Sequence, residues 1–85
     1  MKNIWKALYE GNEIKIEQHW FSGEKLYIND ILQDNTHQFF SARLTGHLLT
    51  LNGARQSIKV NLGGLFQMNC SLYIDDRPIA TIQTI

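Results

Sequence analysis

Cys70, the only cysteine, and the three histidines His19, His37 and His47 are the side chains with which this 85-residue chain could do nucleophilic or metal chemistry. A nucleophilic thiol needs partial exposure, a depressed pKa and a neighbouring base. Cys70 instead lies in Phe66-Gln67-Met68-Asn69-Cys70-Ser71-Leu72-Tyr73-Ile74-Asp75, which alternates apolar and polar through five cycles. That period places it on an inner face with Phe66, Met68, Leu72 and Ile74, as a small hydrophobe. No two histidines are close enough in sequence to present two ligands from one strand or turn. His19 shares a strand face with Glu17, and His37 and His47 fall in polar turns, so no metal site is expected. A metal or small ligand held by these histidines stands only as an alternative.

Other catalytic arrangements are equally thin. Ser, His and Asp are all present, but no Gly-x-Ser-x-Gly elbow is. Gly63-Gly64 has neither a following helix nor a Lys-Ser/Thr partner to cradle phosphate, and reads as a turn or bulge. Asp75-Asp76 suits a turn. The chain is therefore expected to be non-enzymatic and to need no cofactor.

Aromatic side chains are the better candidates. Tyr27 lies between Leu26 and Ile28, and Tyr73 between Leu72 and Ile74, so each is expected on the outer face of its strand. With Trp20 and Phe21 they form the candidate binding residues, suited to contact with a partner or a second copy. An alternative from another class is a small barrel binding single-stranded nucleic acid, with Trp20 or Phe39 stacking on bases while Arg43, Arg55 and Lys59 follow the phosphates.

Charge bears on that choice. Eight Lys+Arg balance eight Asp+Glu, whereas binding nucleic acid or anionic lipid over a whole surface needs a basic excess. The balance is uneven along the chain. Residues 1–34 carry six acids against four lysines, and residues 35–74 carry Arg43, Arg55 and Lys59 with no acid. If that middle segment forms one face, the molecule is a dipole.

The elements that must position these groups have period two. Glu13-Ile14-Lys15-Ile16-Glu17, Lys25 to Asn29, Phe39 to Leu44, Ser57 to Leu62 and Phe66 to Asp75 read as strands. In the first of these, the face of Ile14 and Ile16 continues through Gln18 to Trp20. Glu10-Gly11-Asn12, Ser22-Gly23-Glu24, Asn29-Asp30, Asp34-Asn35, Asn52-Gly53, Gly63-Gly64 and Asp75-Asp76 read as turns. Asn52-Gly53 has the composition of a two-residue hairpin turn, and Pro78 suits the start of a strand. No amphipathic helical stripe is present, and at most a single helical turn is expected near Ile31 to Asn35. The echo between Leu26-Tyr27-Ile28-Asn29-Asp30 and Leu72-Tyr73-Ile74-Asp75-Asp76 is consistent with related hairpins in two facing sheets. With 44% apolar residues, a chain this short buries one core. The expectation is one all-β domain over residues 1–85, an antiparallel β-sandwich or flattened barrel of seven to eight short strands.

Between Glu13 and Ile79 the chain resembles the Fas apoptosis inhibitory molecule family. The shared phrases are Ile14-x-Ile16-Glu17-x-His19, Ser22-Gly23-Glu24-Lys25, Ile28-Asn29-Asp30, Leu44-Thr45-Gly46, Gly53-Ala54, Lys59-Val60-Asn61-Leu62, Gly64-Leu65-Phe66 and Leu72-Tyr73-Ile74-Asp75. Asn29-Asp30 and Asp75-Asp76 stand where Asp-Gly turns are expected. The resemblance implies a β-sandwich that works through protein contacts and supplies no catalytic residue.

A lone cysteine excludes an intramolecular disulfide. Lys6, Glu10 and Glu13 interrupt the N-terminal stretch, and no apolar run approaches the ~18 residues of a membrane span. A cytoplasmic protein is expected, with a protein partner or itself, as a homodimer, in preference to nucleic acid and with no membrane.

Overall fold

The computed structural model describes residues 2–38, 41–64 and 67–85. Among these residues nine strands follow in order: β1 (Lys2–Tyr9), β2 (Asn12–His19), β3 (Gly23–Ile28), β4 (Ile31–Thr36), β5 (Ser41–Leu49), β6 (Arg55–Gly63), β7 (Asn69–Ile74), β8 (Arg77–Ile79) and β9 (Ile82–Gln83). They form two antiparallel sheets, ordered β4-β3-β2-β1-β9 and β5-β6-β7-β8. The expected β-sandwich is thus present, with nine strands in place of seven or eight.

Each sheet contributes its alternate residues to the space between them. Trp5, Ile14, Ile16, Leu26 and Ile28 from the first sheet meet Leu44, Leu48, Ile58, Val60, Leu62, Leu72 and Ile74 from the second. Cys70 and Met68 pack half-buried against this core, on the face the alternation assigns to them. Phe39, Phe40, Leu65 and Phe66 lie outside the described residues.

Three expectations are corrected. The segment from Ile31 to Asn35 is strand β4 and contains no helical turn. Its ladder with β3 passes from Leu26↔Asp34 to Tyr27↔Leu32, leaving Gln33 as an extra residue in a bulge. The bulge re-aims the strand, and Asp34 Oδ2 accepts a 2.8 Å hydrogen bond from the Thr45 amide on β5. Gly46-His47, read as a turn, lies within β5 opposite Ile58 and Ser57. A Cβ at Gly46 would lie 3.3 Å from both Gln33 Cβ and Leu26 Cδ2, so glycine here allows the two sheets to approach closely. Lastly, Asn52-Gly53 does not form a two-residue turn. Thr50 N donates to Ala54 O at 2.8 Å and Gly53 N to Thr50 O at 3.0 Å, with Gly53 at φ 83°. This is the three-residue loop with a glycine bulge, closed by Thr50 and Asn52 side chains that hydrogen-bond each other and the Ala54 amide.

The two echoing strands take matching places. β3 and β7 are each the third strand of a four-strand meander, one in each sheet. Edges are handled differently. β8 carries Pro78 and is an edge strand, where a missing N–H costs no ladder bond. β9 covers part of β1 through Trp5↔Gln83 and Lys6↔Ile82, extended by Ile4 N to Ile85 O and Thr84 N to Ile4 O.

Candidate interaction surface

The molecule measures 40 × 21 × 20 Å. At one end the ladder of β2 and β3 closes at His19↔Gly23, leaving Trp20, Phe21 and Ser22 as a tip. His19 Nδ1 accepts hydrogen bonds from the amides of Phe21 (3.1 Å) and Ser22 (3.2 Å). The His19 and Phe21 rings lie 6.0 Å apart at 56°. Gly23 has φ 91°, and a Cβ there would sit 2.2 Å from the Thr36 carbonyl oxygen. Only glycine permits this approach, which fastens the tip to the end of β4. The aromatic side chains nevertheless face water: Phe21 is 83% exposed and Trp20 42% exposed. Trp20 therefore does not continue the inner face of Ile14, Ile16 and Gln18, because β2 ends at His19.

A polar seam lies on the inner side of this same end. Gln83 Nε2 donates to Asn3 Oδ1 (3.1 Å), and Asn3 Nδ2 donates to buried Gln18 Oε1 (2.8 Å). Beside Gln18, the buried Glu24 carboxylate accepts the Gln38 amide at 3.0 Å. These bonds satisfy groups that would be costly to bury unpaired, and they hold the chain on either side of the tip.

Tyr27 and Tyr73 lie elsewhere. Each occupies the outer side of its strand, half-buried, but on different sheets of the sandwich. They make no common patch with each other. Lys15 Nζ lies 4.7 Å from the Tyr27 ring centroid, capping that face with a cation. Of the four candidate binding residues, the fold brings together Trp20 and Phe21.

Arg43 and Lys59 share the outer face of the second sheet, Arg43 opposite Asn61 and Lys59 opposite Thr45. Between them runs a shallow groove of about 290 Å³. Lys59 is engaged with Asp76 at 3.1 Å, Arg55 stands at the far end of β6, and Trp20 follows a strand of the other sheet. Trp20 is therefore not brought to these three cations; the aromatic beside Lys59 on this face is Tyr73.

The chemistry of the remaining candidates is muted. Burial pushes the Cys70 thiol up to about 12, the opposite of the lowered value that activates a nucleophilic thiol. His19 is committed to its turn and His47 stands exposed on β5. Among the described residues, no three His, Cys, Asp or Glu side chains converge to hold a metal ion.

One feature was missed in the sequence. Leu8 on β1 and Ile82 on β9, 79% and 72% exposed, border a largely apolar groove of about 450 Å³ with Ala80, Lys6 and Glu13. The alternation of Ala80-Thr81-Ile82-Gln83 was the available signal for a strand there.

Comparison with family models, curated proteins and solved structures finds no match to this chain.

Proposed function

We propose that the protein is a non-catalytic, cytoplasmic interaction module that docks onto a protein partner through the Trp20–Phe21 tip. The observation that carries this reading is an exposed aromatic pair on a turn braced by His19 and Gly23. Bracing the backbone of a turn ahead of contact lowers the entropy cost of binding, and Trp and Phe are among the residues enriched at interfaces. A raised Cys70 pKa supports a role that does not depend on covalent chemistry. The non-enzymatic, contact-based role implied by the resemblance to the Fas apoptosis inhibitory molecule family belongs to the same proposal.

The test is capture of a partner from native lysate on immobilised protein. Trp20→Ser and Phe21→Ser are expected to abolish capture while leaving thermal unfolding unchanged, and Tyr27→Ala and Tyr73→Ala to leave capture intact. Retention of nothing by the parent protein, or undiminished capture by both tip variants, would overturn the reading.

A further inference from the structure

We infer that the partner of the tip is a second copy of this chain, with Phe21 seated in the groove between Leu8 and Ile82 of the neighbouring molecule. This rests on the docking reading above and names its occupant. The groove exists because the ladder of β9 on β1 ends at Lys6↔Ile82, where Ala80 and Thr81 lead back to β8 of the other sheet. Glu13 accepts the Asn29 amide on the β3 side, so the backbone of its partner Leu8 faces the other way by the alternation of an antiparallel pair. The Leu8 amide and carbonyl consequently lie beyond the last pair of the β9 ladder, beside two exposed apolar side chains.

Knob and groove are complementary in shape and in charge. An 83% exposed phenyl ring matches a cleft walled by Leu8, Ile82 and Ala80. Lys25 stands two residues beyond Gly23 at the base of the tip and has no ion-pair partner among the described residues. Glu13 on the groove rim and Glu10 in the turn beside it likewise form no ion pair there, and together they outweigh Lys6, the cation that also lines the groove. A second copy brings these unpaired charges together. At an exposed rim their effect is chiefly on steering and orientation.

The contact cannot form within one molecule. Lys2↔His19 and Leu8↔Glu13 mark opposite ends of the β1–β2 ladder, and six residues of strand separate them by roughly 20 Å. A knob and a groove at different places on one surface make a heterologous contact, which propagates head to tail unless the rotation happens to close a ring.

Sedimentation velocity against protein concentration tests this. The parent protein is expected to grow past the dimer. Phe21→Ser, which lacks the knob, and Leu8→Glu, which blocks the groove, are each expected to weaken association by about tenfold or more. Both positions are solvent-exposed, so both variants should unfold at the parent temperature. Mixed one to one, they retain one knob and one groove between them and should form a dimer that grows no further. A parent protein that stays monomeric to roughly 1 mM, a dimer that the mixture fails to restore, or tip-dependent binding of the monomer to anionic vesicles would each overturn self-docking. Loss of lysate capture in Phe21→Ser alongside a monomeric parent would overturn the second copy alone and leave the docking reading standing.

Discussion

In the β1–β4 half the third strand ends Leu26-Tyr27-Ile28 and turns through Asn29-Asp30; in the β5–β8 half it ends Leu72-Tyr73-Ile74 and turns through Asp75-Asp76. The backbone is the same in both, with φ 51° and 65° in the first turn and 49° and 65° in the second. Asn29 N donates to Glu13 O and Asn29 Oδ1 accepts from Glu13 N, each at 2.9 Å. Asp75 repeats this with Ser57 at 3.0 and 2.9 Å. The next acid reaches a lysine on the second strand, Asp30 to Lys15 at 3.7 Å and Asp76 to Lys59 at 3.1 Å. Each lysine stands opposite the tyrosine of the echo, Lys15↔Tyr27 and Lys59↔Tyr73.

Where the halves diverge, they diverge at edges and tips. Six-residue β4 is bulged and leans over β5, whereas three-residue β8 leaves β1 to be covered by β9. The first half carries the exposed Trp20–Phe21 tip, and its β1–β2 turn is the two residues Glu10 and Gly11. A common turn is thus local chemistry that can be repeated, while what a half presents to its surroundings depends on how its edges are closed.

The strongest way to break the equivalence is in the core. Leu26 and Leu72 occupy the same position of the echo and are 0% and 2% exposed. Leu26→Ala and Leu72→Ala are each expected to cost about 2–5 kcal/mol. Both tryptophans lie in the first half, yet the two variants should lower the tryptophan-monitored denaturation midpoint alike, because a small domain with one shared core unfolds as a unit. A Leu72→Ala protein with an unshifted tryptophan transition would mean that the halves fold separately.

What the sequence showed of this arrangement follows from which contacts are local. Alternation sufficed for β2, β6 and β7, whose inner faces carry successive apolar residues: Ile14 and Ile16, Ile58 to Leu62, and Cys70 to Ile74. It did not single out β1, because Ile4 and Trp5 are adjacent and both buried: Trp5 faces the core, while Ile4 hydrogen-bonds through its backbone to the 84–85 segment. Nor did it find β4, whose polar residues and bulge imitate a turn. Gly46 resembled a turn residue because the close approach of Gln33 and Leu26 comes from strands distant in sequence. Trp20 and Phe21 were legible as exposed aromatics, but the separation of Tyr27 from Tyr73 required knowing that their strands belong to different sheets. The Leu8–Ile82 groove joins residues more than seventy positions apart, which no local pattern reports.

The edges give a smaller effect. Asp34 caps the Thr45 amide where β1 has a strand instead. Asp34→Ala removes that acceptor from an exposed amide, at an expected cost of about 1 kcal/mol, and leaves more of the β5 edge free to pair with other chains. Equilibrium denaturation and light scattering on heating should show a lower midpoint with earlier aggregation. Unchanged behaviour in both would mean that β4 covers β5 without help from this carboxylate.

The smallest and most discriminating difference is Asn29 against Asp75. The Ser57 amide, then the Gln56 side chain, hold the Asp75 carboxyl below its ordinary value, opposed by slight desolvation and assisted by the Ser57 hydroxyl and Arg77. A carboxyl with a lowered folded-state pKa contributes stability above its unfolded pKa and loses it as pH falls through the folded value. Asn29 has no such dependence. The neighbouring amides differ to match: Asn29 Nδ2 donates to Asn12 Oδ1 at 3.0 Å, whereas Asp75 can only accept, so Gln56 turns its Nε2 toward it at 3.0 Å and its buried Oε1 is left unpaired. Asp75→Asn therefore allows a flipped Gln56 to accept from the new amide, reproducing the Asn12–Asn29 pair while giving up the charge-assisted bonds. At neutral pH these changes oppose each other and the midpoint should move little. Below the ordinary carboxylate range the variant should lose less stability than the parent, giving a shallower dependence of denaturation midpoint on pH. Identical slopes would show that the two turns, despite one being charged, hold their strands in the same way.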